Sequence, residues 1–180
     1  MIPAKELTQA GRKPGGNRGP ATETLDSRLR GNDESSKLRR KMSAGYSKRS
    51  LLEKLGIKPG FRICVLNAPT NYADILGGLP TSVELLPKLK AGMDCIQFFS
   101  RQRSELEHAF PLLRKALVDS GMLWISWPKA ASKIPTDVNE NVVREIGLKN
   151  QMVDIKVCAV DEVWSGLKFV YRLKDRAAKG

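Results

Sequence analysis

Three short apolar runs in this chain each finish on side chains able to hold a ligand. Phe61-Arg62-Ile63-Cys64-Val65-Leu66 leads into Asn67, and Cys95-Ile96-Gln97-Phe98-Phe99 leads into Ser100-Arg101. Met122-Leu123-Trp124-Ile125-Ser126-Trp127 leads into Pro128-Lys129, with Ser132 close behind. An amide, hydroxyls, two cations and an indole at one place would suit a small anion such as a carboxylate or phosphate, because charged donors make the stronger hydrogen bonds to such groups. Helix N-termini following the strands would add positive partial charge. The plainer alternative is that Trp127 packs on the sheet end and Lys129 is solvated. A second group, Asp161, Glu162, Trp164 and Ser165, sets two adjacent carboxylates beside an indole, as a base or a cation holder would need. Neighbours in a strand point to opposite faces, so Asp161 and Glu162 share a site only where a strand has ended. Otherwise they form a polar turn anchored by Trp164.

Other chemistries find little purchase. Zinc needs clustered Cys and His ligands, whereas Cys64, Cys95 and Cys158 fall singly within strand-like runs and read as small buried hydrophobes. No metal site is expected. The lone His108, between Glu107 and Ala109, reads as a surface residue on the polar side of a helix. Neither a Gly-x-Ser-x-Gly elbow nor a Walker-type phosphate loop occurs.

The elements that must position these residues follow from periodicity and turn chemistry. Ser47 is the expected N-cap of a helix over residues 48–55, with Gly56 just past its end. Residues 61–66 read as a strand covered on both faces, being continuously apolar. Residues 70–76 form a helical turn or two before Gly77-Gly78, and 83–86, between Pro80 and Pro87, a short strand near a sheet edge. After the strand 95–99, Leu106, Ala109, Phe110, Leu113 and Leu117 recur at helical spacing, and Pro111 predicts a kink or restart there. A third strand spans 122–127. Asp137 and Glu140 have capping-box spacing and open a helix through Val138, Val142, Val143 and Ile146 that stops at Gly147. Residues 153–160 and 167–173 are strand-like, with Ser165-Gly166 as the turn of an antiparallel pair. The order predicts one Rossmann-like α/β domain over residues 42–173. It has a mainly parallel sheet, an antiparallel C-terminal edge pair and helices on both faces.

Composition agrees with one such domain. The chain has 180 residues, 41% of them hydrophobic, enough for a packed core, and no apolar run approaches the length of a membrane-spanning helix. Residues 1–41 are a different material, rich in glycine and proline and without an aromatic residue. They carry ten basic and five acidic residues, a net +5 that leaves +7 of the chain's +12 for the remainder. This segment is expected to be a disordered basic tail without a secretory leader, so the cysteines are expected reduced and the setting cytoplasmic. Leu25-Asp26-Ser27-Arg28-Leu29-Arg30-Gly31-Asn32-Asp33-Glu34 resembles a translated palindromic repeat between bacterial genes, which would make Met42 the natural start. The rival reading is a genuine nucleic-acid-binding tail. Residues 174–180 form a short basic tail.

Several motifs resemble a family of small bacterial proteins defined only as a domain of unknown function. They are Pro59-Gly60, Asn67-Ala68-Pro69, Trp127-Pro128-Lys129, Thr136-Asp137 and above all Val157-Cys158-Ala159-Val160-Asp161-Glu162-Val163-Trp164-Ser165-Gly166-Leu167-Lys168-Phe169. The match covers about residues 44–173 and implies a compact α/β domain from a bacterium, with no activity, cofactor or catalytic residue to carry over. The element order also resembles a shortened class I methyltransferase fold, an analogy of fold rather than of function. A nucleotide cofactor held in that way calls for glycines after the first strand. Here the turn is Asn67-Ala68-Pro69-Thr70-Asn71-Tyr72, so methyltransferase or dehydrogenase chemistry is disfavoured and no cofactor is expected.

The residues thus favour a noncatalytic module binding a small anionic ligand or a protein partner. The first alternative is an enzyme of unknown reaction with its site at the strand ends, at Asn67, Trp127 and Lys129. The second is a nucleic-acid accessory protein, resting on the weakly interleaved Lys168-Phe169-Val170-Tyr171-Arg172; nucleic acid is the least favoured partner and a membrane is not expected.

Overall fold

The computed structural model describes residues 49–176, so the expectations for residues 1–41, Met42 and Ser47 lie outside it. Helix α1 (Leu51–Leu55) begins at Ser50: its Oγ accepts the Glu53 N–H at 3.3 Å, and Glu53 Oε2 accepts the Ser50 N–H at 2.7 Å. A reciprocal cap of this kind needs the acid three residues after the serine, and Ser50 has it in Glu53. Gly56 closes the helix at φ 78°, in the left-handed region that glycine enters freely.

There follow β1 (Arg62–Leu66), α2 (Tyr72–Leu76), β2 (Glu84–Leu86), β3 (Met93–Phe99), α3 (Arg103–Ala116) and β4 (Leu117–Pro128). A 3₁₀ turn at Ala130–Ser132 precedes α4 (Glu140–Lys149), β5 (Met152–Ala159), β6 (Trp164–Tyr171) and α5 (Leu173–Arg176). The sheet order is β2-β1-β3-β4-β6-β5; the first four pair in parallel, and β6 runs antiparallel between β4 and β5. The expected architecture is the observed one.

Strand alternation divides the core into two layers. Ile96, Phe98, Leu123 and Ile125 face Leu106, Phe110, Val143 and Ile146 of α3 and α4. Cys95, Phe99 and Trp124 face the other way, toward Leu51, Leu55, Tyr72 and Leu76 of α1 and α2. A buried polar chain crosses the second layer: the Tyr72 hydroxyl donates to Gln97 Oε1, and Gln97 Nε2 donates to Ser126 Oγ at 3.0 Å. Trp124 Nε1 donates to the Leu55 carbonyl at 3.0 Å and ties α1 to the sheet.

Local details differ from expectation for identifiable reasons. Helix α3 runs through Pro111, whose ring is exposed, and the carbonyl it leaves unpaired belongs to exposed Glu107. Strand β4 starts at Leu117, directly after α3, with a register shift between Met93 and Cys95 absorbing the irregularity. Asn139, not Asp137, caps α4, its Oδ1 accepting the Val142 N–H at 3.1 Å; Asp137 Oδ1 instead accepts the Arg103 N–H at 2.7 Å, capping α3 from outside. The β5–β6 turn is made by residues 160–163, whereas Ser165 and Gly166 lie within β6.

Helix α4 continues past Gly147 because that glycine serves close packing, not helix termination. A Cβ there would lie 2.1 Å from Phe169 Cε1, a fully buried ring wedged edge-on against Phe110. Gly147→Ala should therefore destabilise the fold by about 1–3 kcal/mol in chemical denaturation, as overpacking does. Unchanged or raised stability, the usual effect of alanine in a helix, would refute this contact.

Candidate functional site

The tips of β1 and β3 meet at a hollow of about 370 Å³ lined by Asn67, Phe99, Arg101, Gln102, Glu105 and Trp164. This is where the strand order switches, since β1 has β2 on one side and β3 on the other, and such points are the usual ligand crevices of open α/β sheets. Asn67 stands in the left-handed region at φ 54°, which asparagine tolerates better than most residues. Its Nδ2 donates to Glu105 Oε1 at 2.8 Å. Ser100, buried under the hollow, donates from Oγ to Glu105 Oε2 at 2.7 Å. Both oxygens of one exposed carboxylate are thus held by residues from two strand tips.

Arg101 supplies the opposite charge. Its carbonyl accepts the Thr136 hydroxyl at 2.8 Å and the Asp137 N–H at 3.3 Å, fixing the backbone. The guanidinium carbon lies 5.9 Å from the Trp164 ring centroid, a cation–π distance. Trp164 is set edge-on to Phe99 at 5.1 Å, and Phe99 edge-on to Tyr72 at 5.1 Å. Phe99 and Trp164 line the hollow, and Tyr72 lines a second one of about 450 Å³ between β1, β2 and α2, where Val65, Leu76, Leu85 and Pro87 complete an apolar lining. Burial pushes the Tyr72 hydroxyl well above its ordinary pKa, so it stays protonated as the donor to Gln97.

Of the first expected group, the structure brings Asn67 and Arg101 to the hollow and Ser100 beneath it. The other three do not join them. Trp127 points to the opposite face and is buried with the α3–α4 core, as alternation from Trp124 requires. Lys129 Nζ donates to the Asp161 carbonyl at 2.6 Å, and Ser132 Oγ donates to the Lys129 carbonyl at 2.7 Å within the 3₁₀ turn. The second group divides as well. Trp164 joins the hollow, while Asp161 Oδ1 accepts the Val163 and Trp164 N–H groups at 2.8 and 2.6 Å, a turn-forming role. Glu162 is exposed at the turn, and Ser165 pairs within β6 opposite Trp127 and Ala159. Glu105 was missed by the sequence reading; its signal was an acid in the first turn of the helix directly after a central strand.

His108 is exposed, as expected, with Nδ1 2.7 Å from the Ser104 carbonyl. Phe169 and Tyr171 are buried, so the Lys168-Phe169-Val170-Tyr171-Arg172 run offers no stacking face for bases. Among the described residues, no group of three or more His, Cys, Asp or Glu is placed to hold a metal ion, and no helix is long and apolar enough to cross a membrane.

No family model and no curated protein matches the chain. Among solved structures, it is similar to magnesium protoporphyrin IX methyltransferase from Synechocystis PCC 6803 with bound S-adenosylmethionine, at 11% identity, covering 82% of this chain and 87% of that chain, TM-score 0.51. Fibrillarin from Aeropyrum pernix, also in complex with S-adenosylmethionine, matches at 14% identity over 74% of each chain, TM-score 0.45. The first likeness shows the fold, a methyltransferase-like Rossmann domain. The expectation of a noncatalytic module is corrected on this finding: the solved structure matched over 82% of the chain is itself that of a methyltransferase.

Burial raises the thiol pKa of Cys64 and Cys158 and pushes that of Cys95 up to about 12. Because the thiolate is the nucleophile, native protein at neutral pH should leave Cys64 and Cys95 unmodified by iodoacetamide over the time in which urea-unfolded protein reacts fully. Native-rate labelling of Cys95, read by peptide mass, would show that this layer is open.

Proposed function

We propose that this chain is an enzyme of methyltransferase-like α/β architecture whose site is the strand-tip hollow of Asn67, Arg101, Glu105 and Trp164. The observation that carries the proposal is a fixed pair of opposite charges at the switch point. The guanidinium lies over an indole, and the carboxylate has each oxygen held by a neutral donor. A small molecule with a carboxylate and an ammonium group, the head of an amino acid, complements that pair. Arg101 binds its anionic end, and Glu105 accepts hydrogen bonds from its cationic end.

S-adenosylmethionine, bound in the Synechocystis and Aeropyrum structures, has such a head, but its nucleoside half finds no matching holder here. The turn after β1 has Asn67, Ala68 and Pro69 where the fold calls for glycines, and Pro69 has no N–H to offer. The acid of β2, Glu84, is at the strand's amino end, 3.2 Å from Arg62, and β2 finishes on Leu86-Pro87 without a carboxylate for ribose hydroxyls. The residues do not fit this cofactor as the fold family holds it.

The same reading takes the chain as a bacterial, cytoplasmic protein of the family of unknown function, supported by the block 157–169 and by three free cysteines. Thermal-shift titration of the full chain with L-amino acids, simple carboxylates and S-adenosylmethionine tests the site. Amino-acid heads should raise the melting temperature as RT ln(1 + [L]/Kd), more than carboxylates lacking the amine. Arg101→Ala and Glu105→Gln should each weaken the best ligand by roughly tenfold or more, the size of one charge-assisted hydrogen bond. Unchanged affinity in both variants, or no response to any amino-acid head, would remove the proposal.

A further inference from the structure

A second charged feature lies on the α1 face of the sheet, four residues along β6 from Trp164. Lys156 of β5 and Lys168 of β6 are directly opposite each other in the antiparallel register. Like charges so placed destabilise a sheet. Lys168 is half-buried: its ammonium lies 6.0 Å from the Trp124 ring centroid, and a Cβ on Gly56 would stand 3.6 Å from it. Lys58, two residues past Gly56 in the turn after α1, adds a third cation near the same helix end.

The ion pairs of the described residues are made by arginines. Arg62, Arg103 and Arg144 each meet a carboxylate within 3.2 Å. Among the described residues, no such ion pair reaches Lys58, Lys156 or Lys168. Lys156 Nζ donates to the Lys54 carbonyl at 2.9 Å, which uses one of its protons. A five-residue helix contributes little dipole to offset the remaining repulsion. Burial above all lowers the Lys168 pKa; Cys95 opposes this, and Lys156 and Lys58 add to it.

We propose that Lys58, Lys156 and Lys168 form an anion site that takes the phosphate group of a small phosphorylated molecule. Lysine ammonium groups act as point charges with several free donors, which suits the distributed charge of a phosphate. A nucleic-acid strand fits less well: the three cations gather beside the end of α1 rather than along a track, and Phe169 and Tyr171 of β6 are buried. The site is independent of the strand-tip hollow.

The test uses pyrophosphate as the probe on the full chain, by calorimetry and thermal shift, against sodium chloride at equal ionic strength. Pyrophosphate should raise the melting temperature above the chloride control. Lys156→Gln and Lys168→Met should each weaken its binding by about tenfold or more, the loss of one charge-assisted hydrogen bond. Arg101→Ala, which alters the other hollow, should leave the pyrophosphate response intact. Lys156 is exposed, so Lys156→Gln should fold, and without ligand it should melt no lower than the parent, having lost a repulsion. Pyrophosphate acting only as strongly as chloride, or binding unchanged in both lysine variants, would overturn the site. Salt-steep binding of a single-stranded oligonucleotide that both variants abolish, with no response to pyrophosphate, would overturn it in favour of nucleic acid.

Discussion

The structure depends on the burial of β1, β3 and β4 on both faces. Each strand sends alternate side chains into two separate apolar layers, so neither face can expose a ligand site without opening the core. What remains free is the carboxyl edge of the sheet. There the order β2-β1-β3 sends the chain to opposite sides of β1, and the tips of β1 and β3 stay uncovered. The polar hollow lies between those tips, and the second, apolar one lies beside β1 under α2.

Polar groups then give the polar hollow its shape. The chain Tyr72–Gln97–Ser126 ties α2 to β3 and β4. Buried polar groups of this kind are costly when unpaired, so the hydrogen bonds fix Tyr72, and with it the ring stack to Phe99 and Trp164. At the other end, Asp161 holds the backbone N–H of Trp164, and Lys129 holds the Asp161 carbonyl. Residues first suspected of chemistry thereby position the indole on which Arg101 rests. They act through geometry rather than by touching a ligand.

The fold was largely legible because its signals are local and repeated: apolar runs of strand length, helical periodicity in α3 and α4, and the glycine after α1. Boundaries were harder to read where two signals compete. Gly147 looks like a helix stop in sequence, yet in space it is the slot for Phe169, a residue twenty-two positions away. Ser165-Gly166 has turn chemistry, but Gly166 lies in a strand opposite Ser126 and Cys158. The site was half legible. Asn67 and Arg101 follow from strand ends, whereas Trp127 fails on strand parity, which depends on where the strand begins. Glu105 was hidden because an acid in a first helical turn ordinarily serves only the helix dipole.

Asn67 gives the turn after β1 a different character from a glycine-rich one. In a dinucleotide-binding turn, glycine leaves room for the backbone to approach phosphate. Here Asn67 is in the left-handed region at φ 54°, and its side chain holds Glu105 at the hollow. A carboxylate at the switch point repels phosphate and attracts ammonium. The three lysines, by contrast, lie where no described carboxylate pairs with them. The turn after β1 thus fixes a carboxylate at the strand tips, while the lysines gather beside the end of α1.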